Sequence, residues 1–149
     1  MSISQKCQYA LRATFELAKH VGEGPVRIAD IAKTQAIPIR FLEVILNQLK
    51  QGGFVESRRG STGGYVLTHS PATLTVGEII RFIEGPLSPV QCIAGSTGDQ
   101  CPLHGDCAFL PMWEKVKDAL SDVYDSTTFE DLVEQERVRR KEHVLDYSI

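Results

Sequence analysis

The sequence has no long apolar run, and no stretch approaches the roughly 20 apolar residues that a membrane-spanning helix needs. Its first residues also lack the apolar segment of a secretory signal peptide. It contains no phosphate-cradling P-loop, no GxSxG nucleophile motif and no paired carboxylates in a cleft-like context. We therefore expect a cytoplasmic protein that has no membrane partner and is not an enzyme.

Cysteine is scarce, with four residues in 149, and none of them forms the C-x2-C pair that zinc ribbons favour. In a reducing cytoplasm such cysteines are more often metal ligands or redox groups than disulfide partners. Three of them, Cys92, Cys101 and Cys107, are spaced C-x8-C-x5-C, with His104 among them. Cys92 and Cys101 lie in a stretch, 86–105, that has no predicted helix or strand, and Cys107 follows just after it. A loop of about twenty residues in a small domain indicates a functional or ligand-based reason for its length.

The charge is divided unevenly along the chain. The 42% apolar and 23% charged residues are typical of a globular protein, and the length fits one domain with appended helices. Residues 1–70 carry nine Lys and Arg against five Asp and Glu, whereas residues 71–149 carry seven against fourteen. A basic first half followed by an acidic second half suggests that only the first half meets a polyanion.

The first half predicts a helix-turn-helix. Helices are expected over residues 4–21, about 27–34 and about 38–51, and Ser4 is placed to cap the first. The third has an apolar stripe at the i, i+3, i+4 and i+7 spacing, formed by Leu42, Ile45, Leu46 and Leu49. A polar set lies on its opposite face: Arg40, Glu43 and Asn47. Two short helices, a tight turn and an amphipathic helix are typical of a DNA-binding helix-turn-helix.

A β-hairpin is predicted directly after this unit. Two β-prone runs, 54–58 and 65–68, flank a Gly-rich loop whose tip carries Arg58, Arg59 and Gly60. A hairpin in this place is the wing of a winged helix. In the major groove Arg pairs with guanine, Asn with adenine, and Glu accepts from cytosine. Arginines at a hairpin tip suit a narrow minor groove. The alternative is that both sets are ordinary solvated charges.

The second half predicts three more helices. Thr75 and Glu78 have the spacing of a capping box at the start of a predicted helix. The apolar stripe of this helix is formed by Val76, Ile79, Ile80 and Ile83. Further helices are expected over about 110–124, with Trp113, Val116, Leu120 and Val123 on one face, and over about 129–141. The predicted fold is mostly α, a winged helix-turn-helix domain with a small β-hairpin wing plus a long C-terminal dimerisation helix. Its segments are 1–85 for DNA binding, 86–108 for the cysteine loop and 109–149 for the dimerisation helices.

The cysteine loop leaves several chemistries open. Thiolates are the usual ligands of iron–sulfur clusters, and three on one loop can surround one face of a cluster. The loop could instead hold zinc through its three cysteines and His104, act as a metal-free thiol switch, or carry idle thiols. Cys7, on the first helix, has the character of a small core residue.

Taken together, the motifs resemble those of the iron–sulfur members of the Rrf2 family of bacterial winged-helix regulators. The resemblance covers nearly the whole chain, and its carriers are Tyr9-Ala-Leu-Arg12, Gly24-Pro25, Ile28-Ala-Asp-Ile31, Phe41-Leu-Glu43, Arg59-Gly-Ser-Thr-Gly-Gly-Tyr65 and Val76-Gly-Glu-Ile79. It implies a homodimer, held by the long helix after the cysteine loop, on a roughly two-fold operator of double-stranded DNA. It also implies that Glu43 helps to read bases, that Arg59 enters the minor groove, and that Cys92, Cys101 and Cys107 bind the cluster.

The sequence departs from these relatives in two ways. They commonly have five residues between the first two cysteines, where this chain has eight, so both a 2Fe-2S and a 4Fe-4S cluster stay open. The fourth ligand also differs: Leu110 stands where one group carries a His, and Gln8 stands where another carries a carboxylate. Cys7 of the partner subunit and His104 are the candidate replacements, beside another residue, a small molecule or an open site.

Three functional hypotheses follow. The first is a transcription regulator whose operator binding is controlled by an iron–sulfur cluster that senses iron, nitric oxide or redox state. The second is a cluster-free winged-helix regulator that uses zinc or direct thiol oxidation at the cysteine loop. The third is a small iron–sulfur electron carrier, against which the Arg-tipped wing argues.

Overall fold

The computed structural model describes residues 2–95 and 101–147. Residues 96–100, in the middle of the predicted cysteine loop, and 148–149 lie outside the described residues. None of the helices in the described ranges combines the length and apolar character needed to cross a bilayer.

Six α-helices, one antiparallel hairpin and a short 3-10 helix are the regular elements of residues 2–95 and 101–147. In order they are α1 (Gln5–Lys19), α2 (Ile28–Gln35), α3 (Ile39–Gln51), β1 (Val55–Arg58), β2 (Gly64–Leu67), α4 (Val76–Glu84), a short 3-10 helix (Gln91–Ile93), α5 (Leu110–Ser126) and α6 (Phe129–Tyr147). The predicted fold class, a mostly α winged helix-turn-helix with a small β-hairpin, is confirmed.

The helix starts follow the capping chemistry in the sequence. The Ser4 hydroxyl accepts a hydrogen bond from the N–H of Cys7 at 3.1 Å, and Thr75 and Glu78 form the reciprocal capping box. The turn between α2 and α3 is made by Ala36, whose φ of 53° is left-handed. Alanine is strained in that region by roughly 1–2 kcal/mol, so the surrounding packing must hold the turn.

The core is built where the helices of the first half meet α4 and the start of α6. The stripe of α3 is buried as predicted, and it packs against Leu17, Ile31 and Ile79. Phe129, at the start of α6, is fully buried in the same cluster. The first helix, predicted over 4–21, ends at Lys19, and Val21 beyond its end is 52% exposed.

The wing is attached to the segment before α2. Val55 pairs with Leu67 and Arg58 with Gly64 across the hairpin. Tyr65 also exchanges two backbone hydrogen bonds with Val26, at 2.9 and 2.8 Å. Gly64 approaches the Val26 carbonyl so closely that a Cβ would collide with it. The wing is therefore fixed to the base of the helix-turn-helix as well as to its own strand.

Helix α5 leads away from the winged helix-turn-helix, and α6 returns to it. The N–H of Val76 donates to Thr127 at 2.9 Å, and Arg81 on α4 holds Asp125 on α5 through two hydrogen bonds. Helix α6 continues to Tyr147, beyond the predicted end near residue 141, because no Gly or Pro interrupts the chain there. The segment boundaries at 85 and 108 stay predictions.

Candidate nucleic-acid interface and cysteine cavity

One face of α3 presents the polar residues that the sequence singled out. Arg40, Glu43 and Asn47 are all exposed, and the buried stripe lies on the opposite side of the helix. The guanidinium carbon of Arg40 lies 5.0 Å from the centroid of the Phe41 ring. This cation–π contact limits the orientations of Arg40. The arrangement is that of a helix able to place three polar side chains in one groove.

The predicted wing residues project into solvent at the other end of this surface. Arg58, Arg59 and Gly60 are exposed at the end of β1 and in the turn that follows. Arg27 donates to the Ser61 carbonyl at 2.9 Å, which ties the turn to the start of α2. Lys50, in the last turn of α3, donates to the Ser57 hydroxyl at 2.8 Å. The wing therefore has a defined position relative to α3.

The sequence did not predict that Arg27 and Lys50 hold the wing in place. We call these two residues the braces. Each is a basic residue beside a helix end, and nothing in its local sequence distinguishes a brace from a solvated charge. Their roles depend on contacts across 34 and 7 positions of the chain.

A buried carboxylate connects α1 to the helix-turn-helix. Glu16 is 3% exposed and receives a hydrogen bond from the Gln35 side chain at 2.6 Å. Lys19 and a ring nitrogen of His20 lie 2.9 and 3.1 Å from its oxygens. Burial alone would raise the pKa of Glu16, but the bonds from Gln35, Lys19 and His20 outweigh it and lower the pKa. Glu16 thus stays ionised and orients the end of α2.

The three loop cysteines line a single cavity of about 490 Å³. Cys92 is exposed, and Cys101 and Cys107 are half-buried. We call this space the cysteine cavity; its lining also includes Ile93, Leu103, His104, Gly105, Leu110, Trp113, Glu114, Lys117 and Asp118. Within residues 2–95 and 101–147, no three His, Cys, Asp or Glu side chains are gathered closely enough to hold a metal ion. The thiols therefore share a space without forming a compact ligand set.

Helix α5 forms one wall of the cysteine cavity. Lys117 donates to the Ile93 carbonyl at 3.1 Å and so attaches the first part of the loop to this helix. The N–H of Leu110 donates to the Cys107 carbonyl at 3.3 Å, so the last cysteine directly precedes the first turn of α5. Leu110 and Trp113 add apolar side chains to the lining of the same cavity. A group held in the cavity would contact α5.

The suggested fourth ligands have different surroundings. His104 is exposed at the edge of the cysteine cavity, whereas Cys7 is fully buried in a separate cluster with Ile80 and Leu87. Burial, then the negative charge and hydrogen bonding of Glu84, raise the pKa of the Cys7 thiol to about 11. Cluster ligands are thiolates, so this environment disfavours the ligating form of Cys7. Both assignments stay predictions.

An exposed apolar row begins at Phe109, the N-cap residue of α5, and continues along that helix. Phe109, Met112, Val116 and Val123 are 63%, 44%, 36% and 62% exposed. Their spacing of three, four and seven residues is typical of a helix that pairs with another helix. We call these four residues the α5 seam. The expectation that Trp113, Val116, Leu120 and Val123 share one face is only partly met, because Trp113 lines the cysteine cavity while Val123 belongs to the seam.

Known proteins share this architecture and much of this sequence. CymR of Bacillus subtilis strain 168, an HTH-type transcriptional regulator, is 42% identical over 132 residues, or 89% of each chain. The solved structure of B. subtilis CymR, called the global cysteine regulator, superposes with a TM-score of 0.74 at 38% identity and covers 91% of this chain and 98% of its own.

Two further solved structures agree. T. potens IscR has a TM-score of 0.70 at 34% identity, covering 91% of this chain and 88% of its own. The oxidised form of Staphylococcus aureus CymR has a TM-score of 0.70 at 32% identity, covering 90% and 97%. The Rrf2 family model, described as an iron-dependent transcriptional regulator, matches residues 3–135. The chain therefore belongs to the Rrf2 family of transcriptional regulators.

Proposed function

We propose that this regulator is a cytoplasmic homodimer that binds a two-fold operator in double-stranded DNA and is controlled at its cysteine cavity. The observation that carries the proposal is the placement of three thiols in one cavity against α5, which also carries the apolar seam. Because α5 is also joined to α4 through Arg81 and Asp125, the cavity is linked to the DNA-binding half.

For DNA recognition, α3 would occupy the major groove and the wing the adjacent minor groove. Arg40, Glu43 and Asn47 would contact base edges, each through a different donor and acceptor pattern. Arg58 and Arg59 would enter the narrow groove, with Gly60 allowing close approach of the turn. The braces at Arg27 and Lys50 support this division because they hold both elements at a fixed separation.

For control, Cys92, Cys101 and Cys107 would hold an iron–sulfur cluster. The donor set suits one, since thiolates are its ordinary ligands and the cavity of about 490 Å³ is open to solvent at Cys92. Such a group supplies a centre that responds to iron supply, oxidants or nitric oxide. His104 or Cys7 of the partner subunit is the proposed fourth ligand.

Two contacts within the chain suggest how a structural change at the cysteine cavity would be transmitted to the DNA-binding half. Lys117 attaches the loop to α5, and Asp125 attaches the far end of α5 to Arg81 on α4. A change at the thiols would shift α5, and with it the spacing of the two winged helices in the dimer. Binding at the cavity and binding to DNA are then thermodynamically linked.

A second candidate is a cluster-free regulator that uses zinc or direct oxidation of a loop thiol. Two observations favour its thiol-oxidation form: the absence of a compact metal-ligand group among the described residues, and the likeness to an oxidised CymR structure. Zinc would use the loop cysteines with His104, and direct sensing would require an oxidant such as a peroxide. Metal analysis of protein purified without air separates these alternatives from an iron–sulfur protein.

The DNA-binding proposal is tested by binding to a duplex that the protein itself selects from a random-sequence pool. Arg59→Ala should weaken binding and lower the slope of log affinity against log salt by about one. Glu43→Ala should instead relax the preference at one base pair, at a cost of roughly 1–3 kcal/mol. Arg140→Ala, which removes an exposed arginine of α6, is the control. Binding that is unchanged in both Arg59→Ala and Glu43→Ala would contradict the proposal.

A further inference from the structure

The reading face of α3 contains an apolar residue among its polar ones. Val44 is 63% exposed. It lies four residues after Arg40 and three before Asn47, so at 3.6 residues per turn its side chain stands between theirs. Any duplex that brings Arg40 and Asn47 to base edges must also contact Val44.

The apolar surface continues beyond Val44. Phe41, 47% exposed, and Val44 form one wall of a groove of about 430 Å³ between α3 and the start of α1, which Gln5, Lys6, Tyr9 and Ile45 complete. The cation–π contact holds Arg40 against the Phe41 ring. A small apolar group of a ligand that contacts Val44 would be shielded from water by α3 on one side and by the lining of this protein groove on the other.

We propose that Val44 is a specificity-determining residue that recognises the C5-methyl group of a thymine in the operator. Valine has no donor or acceptor, so it cannot satisfy a base edge by hydrogen bonding. The thymine methyl is the apolar group that the major groove of unmodified DNA presents. This inference rests on the proposed DNA-binding function and adds one base contact to it.

The expected effect is that of burying one methyl group. Removal of a buried CH2-sized group costs about 0.8 kcal/mol, which corresponds to about a fourfold weaker binding for each half-site. The effect should be confined to the thymine that meets Val44. Thymines beneath the wing should be insensitive because their methyl groups face the other groove.

The test uses the duplex selected from the random pool, with each thymine replaced in turn by deoxyuridine, which lacks only the methyl group. Wild-type protein should bind one substituted duplex about fourfold more weakly per half-site. Val44→Ala should bind that duplex and its thymine parent equally. Val138→Ala, at an exposed valine of α6, should behave as wild type.

Two results would overturn the inference: no deoxyuridine position weakens wild-type binding, or Val44→Ala keeps the full discrimination. Both leave the proposed function intact, since the selected duplex is still bound. Failure to select any duplex would overturn the proposed DNA reading, and this inference with it.

Discussion

At the scale of single residues, Cys7 shows how burial decides what a cysteine can do. The same residue type is exposed at Cys92 and completely enclosed at Cys7. Enclosure, together with the nearby Glu84, favours the neutral thiol and raises its pKa to about 11 from an ordinary value of 9.0. The stability of the fold should therefore depend on pH in the alkaline range.

We expect the free energy of unfolding to fall between about pH 9 and pH 11. In that window the Cys7 thiol ionises in the unfolded chain but stays protonated in the folded one. Its stabilising contribution is complete below pH 9 and is lost as pH rises through the folded pKa. Urea unfolding of wild type and Cys7→Ala at several pH values measures the difference. Parallel pH profiles of the two proteins would contradict the assignment, since all other titrating groups are common to both.

At the scale of elements, the junction of α4 with α5 depends on a glycine. A Cβ at Gly77 would collide with the Asp125 carboxylate, which pairs with Arg81 at 2.6 and 2.8 Å. The hydrogen bond from Arg81 lowers the pKa of Asp125. Because both side chains are partly exposed, the pair contributes at most about 1 kcal/mol to stability. Its importance lies in fixing the angle between α5 and the winged helix-turn-helix.

Gly77→Ala should therefore weaken regulation while leaving the stability of the fold almost unchanged. We expect only a small loss of thermal stability, because the displaced carboxylate can turn into solvent. The difference in DNA affinity between the cluster-bearing and cluster-free forms should shrink, since the Arg81–Asp125 link between α4 and α5 is lost. Asp125→Asn should have a similar effect, and Glu134→Gln, in an exposed pair of α6, should have none. A Gly77→Ala protein with an unchanged difference would argue against coupling through this pair.

Local patterns predicted the helices and the wing, and long-range contacts account for what was missed. The stripe ending at Leu49 was predictable because helical periodicity is a property of neighbouring residues. The brace at Arg27 and the burial of Phe129 were not, because both depend on partners far along the chain. Helix α5 is the clearest case: Trp113 and Val123 fit one apolar stripe in the sequence, yet they serve a cavity and a separate exposed row.

At the scale of the whole molecule, the α5 seam supports the proposed homodimer. Four apolar side chains in a row are partly or largely exposed in one protomer, and pairing with an identical helix would remove them from water. Two winged helices would then be held at a fixed spacing, as a two-fold operator requires.

Val123→Glu should convert the dimer into a monomer. The carboxylate would face its own copy across the two-fold axis, where like charges and apolar neighbours both oppose it. Light scattering at micromolar concentration should give the mass of one chain, and operator affinity should fall with it. Val144→Glu, at a 66% exposed position of α6, should leave both unchanged. A dimeric Val123→Glu protein would place the dimer interface elsewhere.

In the proposed function, the state of the cysteine cavity sets the affinity for DNA. The most direct measurement is the Kd for the selected duplex, with iron content recorded on the same sample, for protein purified without air. Wild-type protein should carry iron, and chelation should change its Kd by at least about fivefold. Cys101→Ser should be iron-free and should match the chelated protein. Iron-bearing and iron-free wild-type samples with the same Kd would contradict the account.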